Sequence, residues 1–79
     1  MPTLRSYILI KLVPGFETEA LRKIRATPGV IEVSAVFGHW DAIASAEAQS
    51  LSALSGLVIS QIRGIQGVQD TETLLHGEF

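Results

Sequence analysis

The chain has 79 residues, of which 47% are hydrophobic and 18% are charged, and its formal net charge is −2 at pH 7. This length predicts one domain, and this composition is typical of a globular protein rather than a disordered one. The weak negative charge argues against direct nucleic-acid binding, which needs a basic face. The absence of cysteine excludes disulfides, thiol nucleophiles and thiolate metal sites.

The small size of the chain also predicts self-association. A domain of this length buries only about 60 to 65% of the surface that its unfolded chain exposes, and small domains usually need a further source of stability. Without disulfides, contact with other copies is the source that we expect. No stretch approaches the ~18 apolar residues of a membrane span, and the N-terminus lacks the apolar core of a signal peptide, so the expected location is the cytoplasm.

The first half of the chain predicts a strand followed by a helix. Tyr7–Val13 is rich in β-branched, aromatic and aliphatic residues and stops at Pro14-Gly15, which is typical of a strand. From Phe16 the apolar residues recur at helical spacing, with acidic residues in the first turn and basic residues in the last. Pro28-Gly29 ends this predicted helix.

The second half predicts a hairpin, a second helix and a last strand. Val30–Phe37 alternates in hydropathy, and Asp41–Ala48 is a second extended stretch beyond a glycine turn. Ser50 is a suitable cap for a helix, and Val68–Leu75 is predicted to be the last strand. The apolar residues expected to share one face of the second helix are Leu51, Leu54, Val58, Ile62 and Ile65.

The resulting order is β-α-β-β-α-β. Residues 24–30 and 62–68 repeat Ile, Arg, Gly and Val at a constant offset, and both segments are predicted helix-to-strand junctions. Two βαβ halves of this length predict an α+β, ferredoxin-like fold, in which an antiparallel four-stranded sheet carries both helices on one face.

The other face of this sheet is predicted to be bare. Alternation along the strands assigns Tyr7, Leu9 and Ile43 to the bare face, because their neighbours are suited to the side under the helices. A face exposed to solvent would not need three apolar residues together, so we interpret it as a sheet-to-sheet dimer surface of the dimeric α+β barrel type. The polar residues predicted on the same face are Lys11, Ser45 and Glu47.

The predicted hairpin turn contains Gly38, His39, Trp40 and Asp41. Gly38 is expected to supply a positive φ, and it would also let a ligand approach the main chain. Asp41 has two readings that the sequence leaves open, a cap on main-chain N–H groups or an acceptor for a ligand ammonium. A small core cannot cover an indole at a hairpin tip, so Trp40 is predicted to contact another subunit.

The remaining polar residues give weaker indications. Thr71 and Thr73 are ordinary β-branched strand residues, although their hydroxyls would suit a carboxylate. His39 and His76 have no partner at a metal-ligand spacing, so both are expected to be exposed, and no metal site or cofactor is predicted. No nucleophile, base and orienting group occur together, which argues against an enzyme.

These patterns together resemble the amino-acid-sensing RAM domain of the Lrp/AsnC transcriptional regulators, over about Arg5 to Leu75. Full-length members of that family carry an N-terminal helix-turn-helix domain, for which there is no room before Tyr7. The resemblance therefore implies that residues 1–79 form a single, stand-alone RAM-type domain. Three patterns carry it: Pro28-Gly29-Val30, Gly38-x-Trp40-Asp41 and Thr71-x-Thr73.

The resemblance implies a dimer through the open sheet faces, assembly of dimers into a ring such as an octamer or decamer, and a free amino acid as effector where dimers meet. It also implies a role in transcription regulation, through sensing by the chain itself or through assembly with full-length relatives. The aromatic residue of the hairpin is more often Tyr or Phe in this family. The implied effector contacts are Gly38, His39, Trp40, Asp41, Thr71 and Thr73.

Two other classes share this predicted topology. Small dimeric α+β barrel enzymes of the monooxygenase type reuse it, sometimes with a histidine or tryptophan beside a cavity. Regulatory domains of the ACT type share the strand order and bind amino acids. The missing catalytic set argues against the enzyme, and the Gly-x-Trp-Asp hairpin argues against the ACT type.

Overall fold

The computed structural model describes residues 3–76. The α-helix Leu51–Gly56 continues without a break into a π-helical stretch, Leu57–Ile62, which we call the π segment. The predicted order of strands and helices is confirmed. The elements are β1 (Leu4–Leu12), α1 (Glu17–Arg25), β2 (Val30–Ala35), β3 (Ala42–Ala48), α2 (Leu51–Gly56) and β4 (Val68–Leu75).

The four strands form one antiparallel sheet in the order β2-β3-β1-β4. Each helix therefore connects two strands that are not neighbours, because α1 crosses over β3 and the second helix crosses over β1. This is the ferredoxin-like α+β fold that the sequence predicts. Among the described residues, no helix has the length and apolar character that crossing a membrane would require.

The core lies between one face of the sheet and the two helices. Ile8 and Ile10 of β1 are fully buried there against Ile24 of α1 and Ile62 of the π segment. The facing positions of β3 are three fully buried alanines, whose small side chains leave room for the helices above them. The side chains between them in sequence, such as Tyr7 and Leu9, lie on the opposite face and are partly exposed. The predicted alternation is therefore confirmed in the two central strands.

The second helix departs from the regular stripe that its sequence predicts. Leu54, Val58 and Ile62 of the predicted apolar stripe are buried, but Leu51 at its start is 60% exposed and does not reach the core. A spacing of four residues is wider than the 3.6 residues of an α-turn, and the π segment provides the wider turns, with the Arg63 N–H donating to the Val58 carbonyl at 2.9 Å. Leu51 precedes these turns and faces the space beside β4 instead of the core.

The start of β4 packs closely against the start of α1. Gly67 is buried with a φ of +103°, and a Cβ at this position would lie 2.7 Å from the Cβ of Phe16. Neither the backbone conformation nor the available space allows a larger residue there. This close approach fixes β4 at the edge of the sheet and brings its first residues beside the end of β1.

Candidate functional site

The loop between β2 and β3, which we call the tip loop (residues 36–41), is closed by its own backbone. The Val36 N–H donates to the Asp41 carbonyl at 2.9 Å. Gly38 has a φ of +144°, and a Cβ added there would meet nothing within 4 Å. The glycine is thus needed for its conformation rather than for space, as the sequence predicts.

Asp41 fastens the tip loop to the end of β1. Its N–H donates to the Ile10 carbonyl at 2.9 Å, and its Oδ2 accepts from the Leu12 N–H at 2.8 Å. Of the two readings of Asp41, the cap on a main-chain N–H is the one seen in the structure. A carboxylate has about four acceptor positions, so Oδ1 remains able to accept a hydrogen bond from a ligand.

Lys11 supplies a cation beside the same loop. Its Nζ donates to the His39 carbonyl at 3.1 Å, which is a second link between β1 and the tip loop. The tip loop therefore has an ammonium group bonded to its His39 carbonyl and a carboxylate of its own at Asp41. Sequence reasoning placed Lys11 on the bare face of the sheet and missed this contact, which depends on how the loop folds back over β1.

The aromatic residues of the tip loop face outward. The rings of His39 and Trp40 meet edge to face, with centroids 5.2 Å apart. The monomer covers Trp40 only in part, whereas Phe37 is completely exposed. Sequence reasoning placed Phe37 in a strand and missed its exposure, because β2 already ends at Ala35. Its position directly before Gly38 was the available signal.

Both histidines are exposed, as predicted. His76 lies beside Tyr7 at the edge of the open sheet face, with ring centroids 6.3 Å apart. Within residues 3–76, no three His, Asp or Glu side chains come together in a way that could hold a metal ion.

Thr71 and Thr73 lie apart from the tip loop within one chain. They pair with Ile10 and Ile8 of β1, so they lie on the helix-covered face at the β4 edge. Strand β1 separates β4 from β3, which places β4 two strand spacings, about 9 to 10 Å, from the strand that directly follows Asp41. Of the six residues predicted as effector contacts, the fold brings four together in the tip loop and leaves the two threonines elsewhere.

The threonines line a groove of about 360 Å³ between β4 and the second helix, which we call the β4 groove. Arg63, which directly follows the π segment, also lines it. Sequence reasoning treated Arg63 only as part of the repeated helix-to-strand junction and missed the groove, because the groove depends on how far the helix stands from the edge strand. The apolar lining residues are Leu51, Leu54, Val58, Ile59 and Leu75.

Residues 5–76 match the family model described as the Lrp/AsnC ligand binding domain. The chain belongs to this family. It is 33% identical over 73 residues to an uncharacterised helix-turn-helix-type transcriptional regulator of Pyrococcus horikoshii, covering 89% of this chain and 49% of that protein. The chain thus spans about half the length of the curated relatives that it matches.

Solved structures, including that of an AsnC protein, share the fold. Escherichia coli AsnC superimposes with a TM-score of 0.89 at 27% identity, over 96% of this chain and 52% of AsnC. A protein of Thermus thermophilus superimposes with a TM-score of 0.90 at 28% identity, over 96% of this chain and 95% of the other. The resemblance noted in the sequence is therefore confirmed, while the effector contacts of individual residues stay predictions.

Proposed function

We propose that this chain is a cytoplasmic effector-binding and oligomerisation module of the Lrp/AsnC type, regulatory rather than catalytic, and that its effector is a free amino acid. The match of residues 5–76 to a ligand-binding domain family carries this proposal. The curated relatives are named as transcriptional regulators, which supports a role in transcription, either directly or through assembly with full-length regulators.

The open sheet face supports the proposed dimer. Leu9 lies directly opposite Ile43 in the β1–β3 register, and Tyr7 lies opposite Leu74 in the β1–β4 register. The four side chains form an apolar patch on a face that no helix of the described chain covers. Leu74, which is 44% exposed, adds to the three residues that the sequence predicts. Burying this patch against a second copy would supply the stability that a small core lacks.

The tip loop supports the further assembly of dimers. Phe37 and Trp40 present two aromatic side chains on a loop that lies outside the core. Aromatic residues of this kind commonly anchor protein interfaces, because they bury a large area at a small entropic cost. We assign them to the contact between dimers in a ring such as an octamer or decamer.

The amino-acid effector would bind where two copies meet. Its ammonium group would donate to Oδ1 of Asp41, because Oδ2 is already engaged by Leu12. Its carboxylate would accept from main-chain N–H groups at Gly38 and from the hydroxyl of Thr71 or Thr73. Those hydroxyls would come from a neighbouring copy, since β1 separates the threonines from the tip loop within one chain.

Native mass measurement with and without each common amino acid tests assembly and binding in one experiment. We expect at least a dimer without ligand, and calorimetry should then identify one or a few amino acids that bind. Asp41→Asn should weaken binding by about 1.5 to 3 kcal/mol, the range for a hydrogen bond to a charged group. Asp70→Asn is the matched control, because Asp70 is exposed and its carboxylate accepts a local hydrogen bond from the adjacent Thr71 N–H. A clean 8.5 kDa monomer, no binding below millimolar concentration, or wild-type binding by Asp41→Asn would contradict the proposal.

A further inference from the structure

The β4 groove changes in character along its length. It runs beside β4 from Thr71 to Leu75, a distance of about 13 Å at the rise of a β-strand. Since the second helix begins near the end of β4 and runs back toward its start, Arg63 lies at the Thr71 end and Leu51 at the Leu75 end. One end therefore offers a guanidinium and a hydroxyl, and the other offers hydrocarbon.

Among the described residues that line the groove, the only charge is the positive charge of Arg63. The acidic residues of β4 do not offset it, because Asp70 and Glu72 pair with Lys11 and Leu9 and lie on the opposite face of the sheet. Within residues 3–76, neither ion pair includes Arg63. The C-terminal end of a helix carries about half a negative charge, which is less than the full charge of a guanidinium, so this end of the groove favours an anion.

The rest of the groove exposes more hydrocarbon than the fold requires. Leu51, Ile59 and Leu75 are 60%, 59% and 54% exposed, and they share the groove with the buried side chains of Leu54 and Val58. Large apolar side chains gathered around one concavity are typical of a ligand site, because the bound hydrocarbon removes their surface from water.

We infer that the β4 groove binds an aliphatic carboxylate, with the carboxylate on Arg63 and the Thr71 hydroxyl and the hydrocarbon on Leu51, Ile59 and Leu75. Charge complementarity selects the head group, since the guanidinium fork matches a carboxylate in two parallel hydrogen bonds. An aliphatic amino acid, its 2-oxo acid and the simple fatty acid share this chemistry. The inference rests on the proposed effector-binding role only in identifying which of these three is the ligand.

Calorimetry on the full chain with four probes of matched shape separates these sources. The probes are leucine, 4-methyl-2-oxopentanoate, 4-methylpentanoate and leucinamide, which keeps the side chain and the ammonium group but lacks the carboxylate. We expect at least one carboxylate to bind and leucinamide to bind at least tenfold more weakly than leucine or not at all. In a series of straight-chain acids, affinity should rise about two- to fourfold per methylene until the groove is filled.

Substitution of Arg63 tests the proposed contact directly. Arg63→Gln should weaken carboxylate binding about tenfold or more, and Arg63→Lys should recover part of the loss by restoring the charge without the fork. Arg25→Gln is the matched control, because Arg25 is also exposed, near a helix end and in the equivalent junction, but lies outside the groove. Ile59→Ser should reduce the gain in affinity with each added methylene. Arg63→Gln should weaken carboxylate binding by the same factor in the Ile59→Ser background as in the wild type.

The outcomes distinguish this inference from the proposed function. Equal binding by all three acids supports the groove and argues against an effector held by its ammonium group at Asp41. Binding by leucine alone would show that an ammonium group is required, which the groove does not recognise, and would overturn the inference in favour of the site at Asp41. Leucinamide binding as tightly as leucine, wild-type affinity in Arg63→Gln, or no binding by any of the three acids at millimolar concentration would overturn the inference. A polar amino acid that binds through Asp41 would still support the proposed function in that last case.

Discussion

Replacing Asp41 by alanine should destabilise the fold as well as remove a predicted ligand contact. The substitution deletes the acceptor of the Leu12 N–H, which lies 2.8 Å from Oδ2. Leu12 is only 4% exposed, so water cannot readily replace the lost partner. Leaving a buried donor unsatisfied costs about 1 to 3 kcal/mol, which is a large fraction of the stability of a domain this small.

Asp41→Asn should behave differently from Asp41→Ala. The asparagine side chain keeps a carbonyl oxygen that can accept from Leu12, so most of the stability should remain while the negative charge is lost. The two substitutions therefore separate the structural role of Asp41 from its proposed role toward an ammonium group. Without this comparison, a loss of binding in the alanine variant would not be interpretable.

Thermal unfolding at one fixed protein concentration measures the effect, since assembly makes the melting temperature depend on concentration. At about 4 to 8 °C per kcal/mol for a domain of this size, Asp41→Ala should lower the melting temperature by several degrees or more. Asp70→Ala, which removes only the exposed local hydrogen bond to Thr71, should change the free energy of unfolding by less than about 0.5 kcal/mol. Equal melting temperatures for Asp41→Ala and Asp70→Ala would refute the assignment of Asp41 as the residue that fastens the tip loop.

Three further predictions follow from the surfaces of the molecule. Ile43→Lys should convert the proposed dimer into monomers, because it places a charge in the apolar patch of the open face, and light scattering would show an unchanged mass if that face is not the interface. Trp40→Ala should leave the proposed dimers but abolish their proposed assembly into a ring, and an unchanged mass would place the indole elsewhere. The Arg22 hydrogen bond lowers the pKa of the Glu19 carboxyl in the folded state below its unfolded pKa of 4.5. The pair therefore stabilises the fold at pH values above 4.5, and this stabilisation is lost as the pH falls through the lowered pKa. NMR titration should show the Glu19 pKa returning toward 4.5 in Arg22→Gln, and no change would remove the pair as the cause.

The order of strands and helices and the two faces of the sheet could be read from the sequence because both depend on short-range alternation. Ile8, Ile10 and the alanines of β3 alternate with polar or partly exposed residues. Since successive side chains of a strand point to opposite faces of the sheet, this alternation assigns each residue to one of only two faces. The π segment could not be read in this way. Leu54, Val58 and Ile62 fit an α-helix nearly as well, and no local pattern marks the wider turns.

The candidate site was less predictable, because its contacts join parts of the chain that are distant in sequence. The motif identified Asp41 and Gly38, and local chemistry explained the glycine, but the bond from Leu12 to Asp41 spans 29 residues. Arg63 belongs to the repeated helix-to-strand junction and Leu51 to the predicted apolar stripe, but neither pattern indicates a ligand contact. They come together with the threonines only because the second helix stands away from β4, which no local pattern specifies.

Because Asp41 and Thr71 lie apart within one chain, a ligand could bind in either of two arrangements, and the two differ in how binding depends on assembly. A ligand that contacts the tip loop of one copy and the threonines of another must stabilise the association of the two copies. By thermodynamic linkage, the association of the copies then strengthens ligand binding to the same extent. A ligand held entirely within the β4 groove touches one chain, so its affinity would not depend on the protein concentration unless the groove also lies at an interface. An amino acid that used both arrangements, with its ammonium group at Asp41 of one copy and its carboxylate at Arg63 of the next, would unite them. In that arrangement the hydrocarbon contacts in the groove of one copy would supply most of the ligand's binding free energy. The contact of its ammonium group with Asp41 of the next copy would make the assembly of the two copies depend on the ligand.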